Sequence, residues 1–85
     1  MSTKLYASNL PFSATERTLA VKFRKFGSVL SVKMDRDMET GLTRRGAFVE
    51  MATADAAQKA IYGLHLADFD GRLMSVCQAI LPVTH

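Results

Sequence analysis

The octapeptide RRGAFVEM, residues 44–51, is the stretch that decides the fold of this chain. Its second half alternates as a β-strand requires, because neighbouring side chains of a strand point to opposite faces of the sheet. Ala47, Val49 and Met51 share one face and predict the buried side. Phe48 falls on the other face, so an aromatic side chain is expected on the side of the strand that faces away from the core.

The rest of the octapeptide surrounds this ring with other residue types. Arg44, Gly46 and Glu50 share the face of Phe48 by alternation, whereas Arg45 follows the buried residues but lies at the strand entrance. The predicted outer side of this strand therefore combines one ring with an arginine, a glycine and a carboxylate.

A short strand over residues 4–8 is predicted near the start of the chain, because polar and apolar residues alternate there. Pro11 ends it, since proline cannot donate a hydrogen bond to a neighbouring strand. Alternation turns Lys4, Tyr6 and Ser8 away from the core. A second ring, that of Tyr6, is thus expected on an outer strand face.

The run VLSVKMD, residues 29–35, alternates again and predicts another strand. Its predicted inward residues are Leu30, Val32 and Met34, and its outward residues are Ser31, Lys33 and Asp35. Residues 36–43 are polar and contain Thr40-Gly41, which favours a loop before the octapeptide.

Helical spacing predicts one helix between the first two strands. Ser13 and Glu16 have the spacing of a capping box, in which two side chains satisfy free amides at the helix start, and Thr15 is a competing cap. The helix is expected to extend to about Phe26, because Gly27 favours a helix end.

A second helix and a final strand are predicted after the octapeptide. The helix follows the cap Thr53 and carries small or aliphatic residues along one stripe: Ala57, Ala60, Ile61 and Leu64. Residues 68–71 favour a turn, and residues 73–80 alternate as a strand that Pro82 ends. Its predicted inward residues are Met74 and Val76.

The element order βαββαβ predicts an α+β fold of the ferredoxin-like kind. Right-handed crossovers place both helices on one face of a four-stranded antiparallel sheet and leave the other face open. The first and third strands are central neighbours, so Tyr6 and Phe48 are expected within cross-strand reach. Two rings bordered by Lys4, Lys33 and Arg44 suit single-stranded nucleic acid, since every base can stack and cations attract phosphates.

Composition limits the other possibilities. The 85 residues are too few for two domains, so residues 1–85 are expected to form one domain with its core over about 3–80. A net charge of +3 and a pI near 9.4 permit a polyanionic partner. The single cysteine, Cys77, excludes an internal disulfide and favours the reducing cytoplasm. The sequence has no Cys/His cluster of the kind that binds a metal, and no cofactor is expected. No apolar run reaches the roughly 18 residues that span a membrane.

The hexapeptide LYASNL, residues 5–10, and the octapeptide resemble the two signature motifs of the RNA recognition motif (RRM) family, in the family's order. Phe26-Gly27, Glu39-Thr40-Gly41 and Gly71-Arg72 also resemble the family pattern, so the resemblance covers about residues 3–80. The chain most resembles short bacterial proteins with a single RRM. The resemblance implies the ferredoxin-like fold and the binding of single-stranded RNA.

The resemblance also implies roles for individual residues. Tyr6 matches the stacking ring of the hexapeptide, Phe48 the second ring of the octapeptide and Arg44 its phosphate-binding residue. Where the family has glycine and then a ring, this chain has Arg45 and then Gly46. One stacking position is therefore expected to be vacant, which costs about 1 to 3 kcal/mol of binding free energy unless the Arg45 guanidinium stacks there. If the vacancy limits affinity, Gly46→Phe should tighten binding.

The sequence thus predicts a monomeric binding module for single-stranded RNA, with single-stranded DNA as a second candidate ligand and no membrane partner. The predicted interface consists of Lys4, Tyr6, Ser8, Lys33, Arg44, Arg45, Gly46, Phe48, Glu50, Ser75, Cys77 and Ala79.

Two other functions fit the sequence less well. Gly46 and the acidic Glu50 on the same face are compatible with a protein-interaction module that keeps the fold and has weakened RNA binding. An enzyme of the small ferredoxin-like class, such as one that hydrolyses acyl phosphate, would need an anion-binding loop and a positioned polar group. The segment NLPFSAT after the first strand is a poor candidate for either, so no enzymatic activity is expected.

Overall fold

The computed structural model describes residues 3–79 and has five strands and two helices in this range. They are β1 (Lys4–Ser8), α1 (Glu16–Arg24), β2 (Val29–Arg36), β3 (Thr43–Met51), α2 (Ala54–Leu64), β4 (Ala67–Phe69) and β5 (Arg72–Gln78). The strands form one antiparallel sheet in the order β2-β3-β1-β5-β4. The predicted α+β, ferredoxin-like arrangement is confirmed, with β1 and β3 as neighbours.

The sheet has five strands where four were predicted. The segment assigned to a turn, residues 68–71, overlaps β4, which pairs with residues 72–74 at the start of β5. Asp70 and Gly71, both with positive φ, make the turn between them. Phe69 of β4 is buried, so a core contact fixes this small hairpin. The predicted end of the last strand at Pro82 lies outside the described residues.

Leu30 is 63% exposed, which corrects its predicted inward position. The pairing of β2 with β3 is irregular between Val29 and Ser31, so Leu30 is an extra residue in β2. An extra residue shifts the alternation by one, and Val29 packs against the core in place of Leu30. Val32 and Met34 lie inward as predicted.

Thr15 caps α1, in place of the capping box predicted from Ser13. The Thr15 hydroxyl accepts a hydrogen bond from the Thr18 amide at 3.1 Å, and the Thr18 hydroxyl accepts one from the Thr15 amide at 2.9 Å. The Ser13 hydroxyl instead donates to Asp70 at 2.8 Å. The helix ends at Arg24, slightly before the predicted end. Neither helix in residues 3–79 has the length and hydropathy that a membrane span requires.

Both helices pack on one face of the sheet and enclose the core. The Thr53 hydroxyl caps α2 as predicted, by accepting a hydrogen bond from the Ala56 amide at 3.1 Å. Buried side chains of the sheet meet buried side chains of the helices: Leu5, Ala7, Ala47, Val49, Met51, Met74 and Val76 against Leu19, Phe23, Ala57, Ala60 and Leu64. We call the opposite side of the sheet, to which Tyr6 and Phe48 point, the open face.

Candidate nucleic-acid interface

Two rings lie side by side at the centre of the open face. Tyr6 of β1 pairs directly with Phe48 of β3 in the strand register. Their ring centroids are 4.9 Å apart and their planes are tilted by 58°. The predicted contact between these rings is confirmed. Phe48 remains 40% exposed, so part of its ring surface is available to a ligand.

The Tyr6 ring leans diagonally across β3 towards β2. Its Oη donates a hydrogen bond to Oδ2 of Asp35 at 2.8 Å, and Asp35 pairs with Gly46 in the register of β2 and β3. A Cβ atom built on Gly46 would lie 2.6 Å from Cζ of Tyr6 and closer still to its Oη. The ring therefore passes directly over Gly46, which is buried.

This geometry corrects the expectation of a vacant position at Gly46. The space above the glycine is covered by the ring of Tyr6, which reaches from β1 across β3. A Cβ atom essentially never comes within 3.0 Å of a heavy atom of a non-neighbouring residue, so a side chain on Gly46 fits only if the Tyr6 ring leaves this orientation. The structure therefore removes the basis for expecting that Gly46→Phe tightens binding.

The surroundings of Tyr6 favour its protonated form. Burial, followed by the hydrogen bond to Asp35 and the negative charge of Asp35, raises the pKa of Tyr6 from 10.0 to about 12. Arg44 acts in the opposite direction, but less strongly. At neutral pH Tyr6 is therefore a phenol whose proton is committed to Asp35.

Basic side chains flank the two rings. Lys33 of β2 pairs with Phe48 in the register, and Lys4 of β1 pairs with Glu50 of β3. Lys4, Lys33 and Glu50 line a shallow concavity together with Phe48. Arg44 lines a second concavity that also includes Phe48. The exposed ring of Phe48 is thus bordered by the predicted cations and by one predicted carboxylate.

Asp37 orders the loop that leads to Arg44. Its Oδ1 accepts hydrogen bonds from the amides of Glu39, at 2.9 Å, and Thr40, at 3.0 Å. Its Oδ2 lies 3.4 Å from Nη2 of Arg44. The amides of Thr40 and Glu39, and more weakly Arg44, lower the pKa of Asp37. Because both charged side chains are solvent-accessible, the ion pair contributes little stability and can give way to a phosphate.

Arg45 does not stack above Gly46, which corrects the idea that it replaces the missing ring. The register of β2 and β3 is irregular between Asp35 and Arg36, and Arg45 has a φ of 60° in the extra part of β3. Its guanidinium carbon lies 3.7 Å from the ring centroid of Phe12, which is 74% exposed in the loop after β1. Arg45 is thus held by a cation–π contact at the end of the sheet.

The remaining predicted residues lie on the β5 side of the open face. Ser75 pairs with Ser8, and Cys77 pairs with Tyr6. The Sγ atom of Cys77 lies 3.8 Å from the main-chain oxygen of Tyr6, and the Ala79 amide donates to a main-chain oxygen of β1 at 2.9 Å. These small residues extend the open face beyond the rings without blocking access to it.

Two residues that shape this face, Asp35 and Phe12, were not part of the predicted interface. Alternation placed Asp35 on the outer side of β2, but nothing in the sequence indicates that Tyr6 reaches it across β3. Phe12 lies in a loop, where alternation gives no side-chain direction.

Comparison with known proteins places this arrangement in a family. The model of the RNA recognition motif matches residues 5–75, which include both signature motifs. The chain belongs to the RRM family. The predicted similarity to bacterial RRM proteins is also confirmed, because several matches are Nostoc proteins of the Rbp series.

Two curated relatives illustrate the range of the family. The putative RNA-binding protein RbpE of Nostoc sp. is 39% identical over 75 residues, which cover 88% of this chain and 76% of that protein. Organelle RRM domain-containing protein 6, chloroplastic, of Arabidopsis thaliana is 39% identical over 77 residues, which cover 91% of this chain and 42% of that protein. The chain also spans less than half the length of several other RRM relatives.

Solved structures show the same fold. The crystal structure of RNA binding protein PG1 matches with a TM-score of 0.86 and 32% identity, over 98% of this chain and 100% of that one. The Sex-lethal protein in complex with RNA matches with a TM-score of 0.79 and 37% identity, over 91% of this chain and 47% of that one.

Proposed function

We propose that this RRM binds single-stranded RNA across its open face. The observation that carries the proposal is the contact between Tyr6 and Phe48, with centroids 4.9 Å apart, on a face that also bears Lys4, Lys33 and Arg44. Bases of a single strand are free to stack on such rings, and basic side chains attract its phosphates.

The rings and the cations have different roles in this proposal. Tyr6 and Phe48 each stack on a base, which typically contributes about 1–3 kcal/mol per base and tolerates any base. Lys4, Lys33 and Arg44 meet the sugar-phosphate backbone. Binding is therefore expected to be of modest affinity and specificity, and single-stranded DNA is a second candidate ligand.

The margins of the face complete the proposed site. Groups of Ser8, Ser75, Cys77 and Ala79 contact base edges on the β5 side. Arg45 presents the N–H groups at the edge of its guanidinium to a phosphate at the end of the sheet, while one planar face packs on Phe12. Gly46 leaves room for the Tyr6 ring that lies over it. Glu50 repels phosphates from the part of the face near Lys4.

The family and its relatives support RNA binding over the alternatives. The Nostoc and PG1 proteins are named as RNA-binding, and the Sex-lethal match is a complex with RNA. The comparisons give no support to a protein-interaction module without RNA binding. We further propose that the chain acts as a monomer in the cytoplasm, without enzymatic activity.

A salt titration with an NMR readout tests the proposal. Binding of a labelled random-sequence RNA of about eight nucleotides should weaken with salt by about 0.7 log units per tenfold change for each phosphate neutralised, or about 2 log units for three cations. Amide shifts should map to Tyr6, Gly46, Phe48 and Ser75. Shifts confined to α1 and α2, or binding that is insensitive to salt, would contradict it.

A further inference from the structure

Three residues on three strands form a diagonal row on the open face. Tyr6 on β1 spans Gly46 on β3 and ends at Asp35 on β2. We call these residues the Tyr6–Gly46–Asp35 row. The row lies beside Phe48, the more exposed ring of the face, so its geometry decides which surface the pair of rings presents.

Gly46 and Asp35 each fit the Tyr6 side chain in a different way. Gly46 is a residue without Cβ at the point where a Cβ would meet the Tyr6 ring 2.6 Å from Cζ. Asp35 places a carboxylate oxygen 2.8 Å from the hydroxyl at the far end of that ring. Among residues 3–79, Tyr6 is the hydrogen-bond partner of the Asp35 side chain. The contact fixes the ring at the tip and the glycine makes space beneath it.

The charge of Asp35 makes this contact informative. A carboxylate on a face that binds a polyanion repels phosphates and, taken alone, weakens binding. Asp35 lies in the same concavity as Arg44 and Phe48, where a phosphate is expected. Its charge effect and its effect through Tyr6 therefore have opposite signs, and an experiment can separate them.

We infer that Asp35 is a positioning residue for RNA stacking. It holds the Tyr6 ring over Gly46, so that this ring also covers the position where the family carries a further ring. The inference rests on the proposed function. A base that stacks on Tyr6 is then drawn towards β2, next to Phe48 and Arg44, instead of lying over β5. Asp35 acts through Tyr6 and does not itself contact RNA.

Affinity measurements on charge variants test the sign of the effect. Fluorescence anisotropy with a labelled random-sequence RNA of about eight nucleotides should show that Asp35→Ala weakens binding about three- to tenfold, because the ring loses its anchor. Asp35→Asn should recover part of the affinity, since its amide oxygen still accepts from Tyr6. Glu50→Gln, which removes a carboxylate that repels phosphates on the same face, should bind more tightly.

A double-mutant cycle separates the route through Tyr6 from a direct role. Tyr6→Phe keeps a ring but removes the hydroxyl, so Asp35→Ala in the Tyr6→Phe background should cause no further loss of affinity. An equal loss in both backgrounds would overturn the inference. Tighter binding by Asp35→Ala in the chain that keeps Tyr6 would overturn it as well.

Gly46 variants test the space beneath the ring. Gly46→Ala should displace the ring and weaken RNA binding, while in the Tyr6→Ala background the same substitution should leave the remaining binding unchanged. Gly46→Phe should also weaken binding, in contrast to the expectation from sequence. Tighter binding by Gly46→Phe would overturn the inference.

Two readouts without RNA keep this inference distinct from the proposed function. NMR shifts of the Gly46 α-protons report the ring above them and should move in Asp35→Ala, with the rest of the spectrum showing a folded chain. In a Tyr62→Phe background, which leaves one tyrosine of two, ultraviolet titration should show that Asp35→Asn lowers the pKa of Tyr6 from about 12. If the wild type binds no RNA, the proposed function fails. If the Gly46 α-proton shifts are the same in Asp35→Ala as in the wild type, Asp35 does not position the Tyr6 ring and the inference is wrong.

Discussion

The two faces of β3 follow different physical rules. On the helix side, Ala47, Val49 and Met51 are at most 1% exposed and fill a continuous core. On the open face, Phe48 is 40% exposed and Gly46 is covered by a ring that comes from another strand. Burial of apolar surface alone explains the first face, because it is favourable whatever the direction of each contact. On the second face, the position of the Tyr6 ring depends on its hydrogen bond to Asp35 and on the absence of a Cβ atom at Gly46.

This difference separates what maintains the fold from what the open face can bind. A substitution on the helix side should change stability and leave the affinity of folded molecules unchanged. Substitution of an exposed ring on the open face, such as Phe48, should mainly change affinity. Variants of single residues on each side can test whether the separation is as clean as the structure indicates.

The largest effect is expected on the helix side. Met51→Ala removes a fully buried side chain and should lower the free energy of unfolding by about 2–5 kcal/mol, since it leaves a cavity. Chemical denaturation measures the loss. RNA affinity, corrected for the folded fraction, should remain that of the wild type. Weaker RNA binding by the molecules that remain folded would show that the two faces are coupled.

Phe48→Ala should affect binding more than stability. Loss of the exposed ring should reduce RNA affinity by about 1–3 kcal/mol, or roughly five- to a hundredfold, because one stacking contact is lost. Fluorescence anisotropy measures this change. Tyr62→Ala is the matched control, since Tyr62 is 78% exposed on α2, away from the open face, and should leave binding unchanged.

Stability should decline at high pH because of Tyr6. Its pKa is raised from 10.0 to about 12 in the folded chain, so folding favours the protonated phenol. The stabilisation should be fully present below pH 10 and be lost as the pH rises towards 12. Denaturation midpoints across this range should fall more steeply for the wild type than for Tyr6→Phe; parallel curves would contradict the assignment.

The smallest effect on stability is expected at the exposed ion pair. Arg44→Gln breaks the contact with Asp37 and should change the free energy of unfolding by less than about 1 kcal/mol. The same variant should reduce the salt dependence of RNA binding by about 0.7 log units per tenfold salt, as loss of one phosphate contact requires. An unchanged slope would remove Arg44 from the proposed site.

The sequence predicted the parts of the molecule that simple alternation controls. The sides of β1 and β3, the contact between Tyr6 and Phe48 and the cap Thr53 followed from local patterns. Leu30 was wrong because an extra residue in β2 shifted the alternation, and a short apolar run does not reveal such a residue. The β4 hairpin was missed because three residues are too few to show a period.

The details of the open face could not be predicted for a different reason. Alternation states which side of a sheet a residue faces, but not how far a long side chain leans along that side. Tyr6 faces outward as predicted, yet its contact with Asp35 joins residues 29 positions apart in sequence and on strands that are not neighbours. Arg45 likewise turned to Phe12 because of an irregular register that the sequence does not display.

The Tyr6–Gly46–Asp35 row also constrains how this sequence can evolve or be engineered. A ring added at position 46 meets the Tyr6 ring, which must then move and give up its hydrogen bond to Asp35. If Asp35 positions Tyr6 as we infer, releasing that anchor first should weaken the existing site. We therefore expect positions 35 and 46 to vary together, because a side chain at position 46 and the contact between Tyr6 and Asp35 compete for the same space.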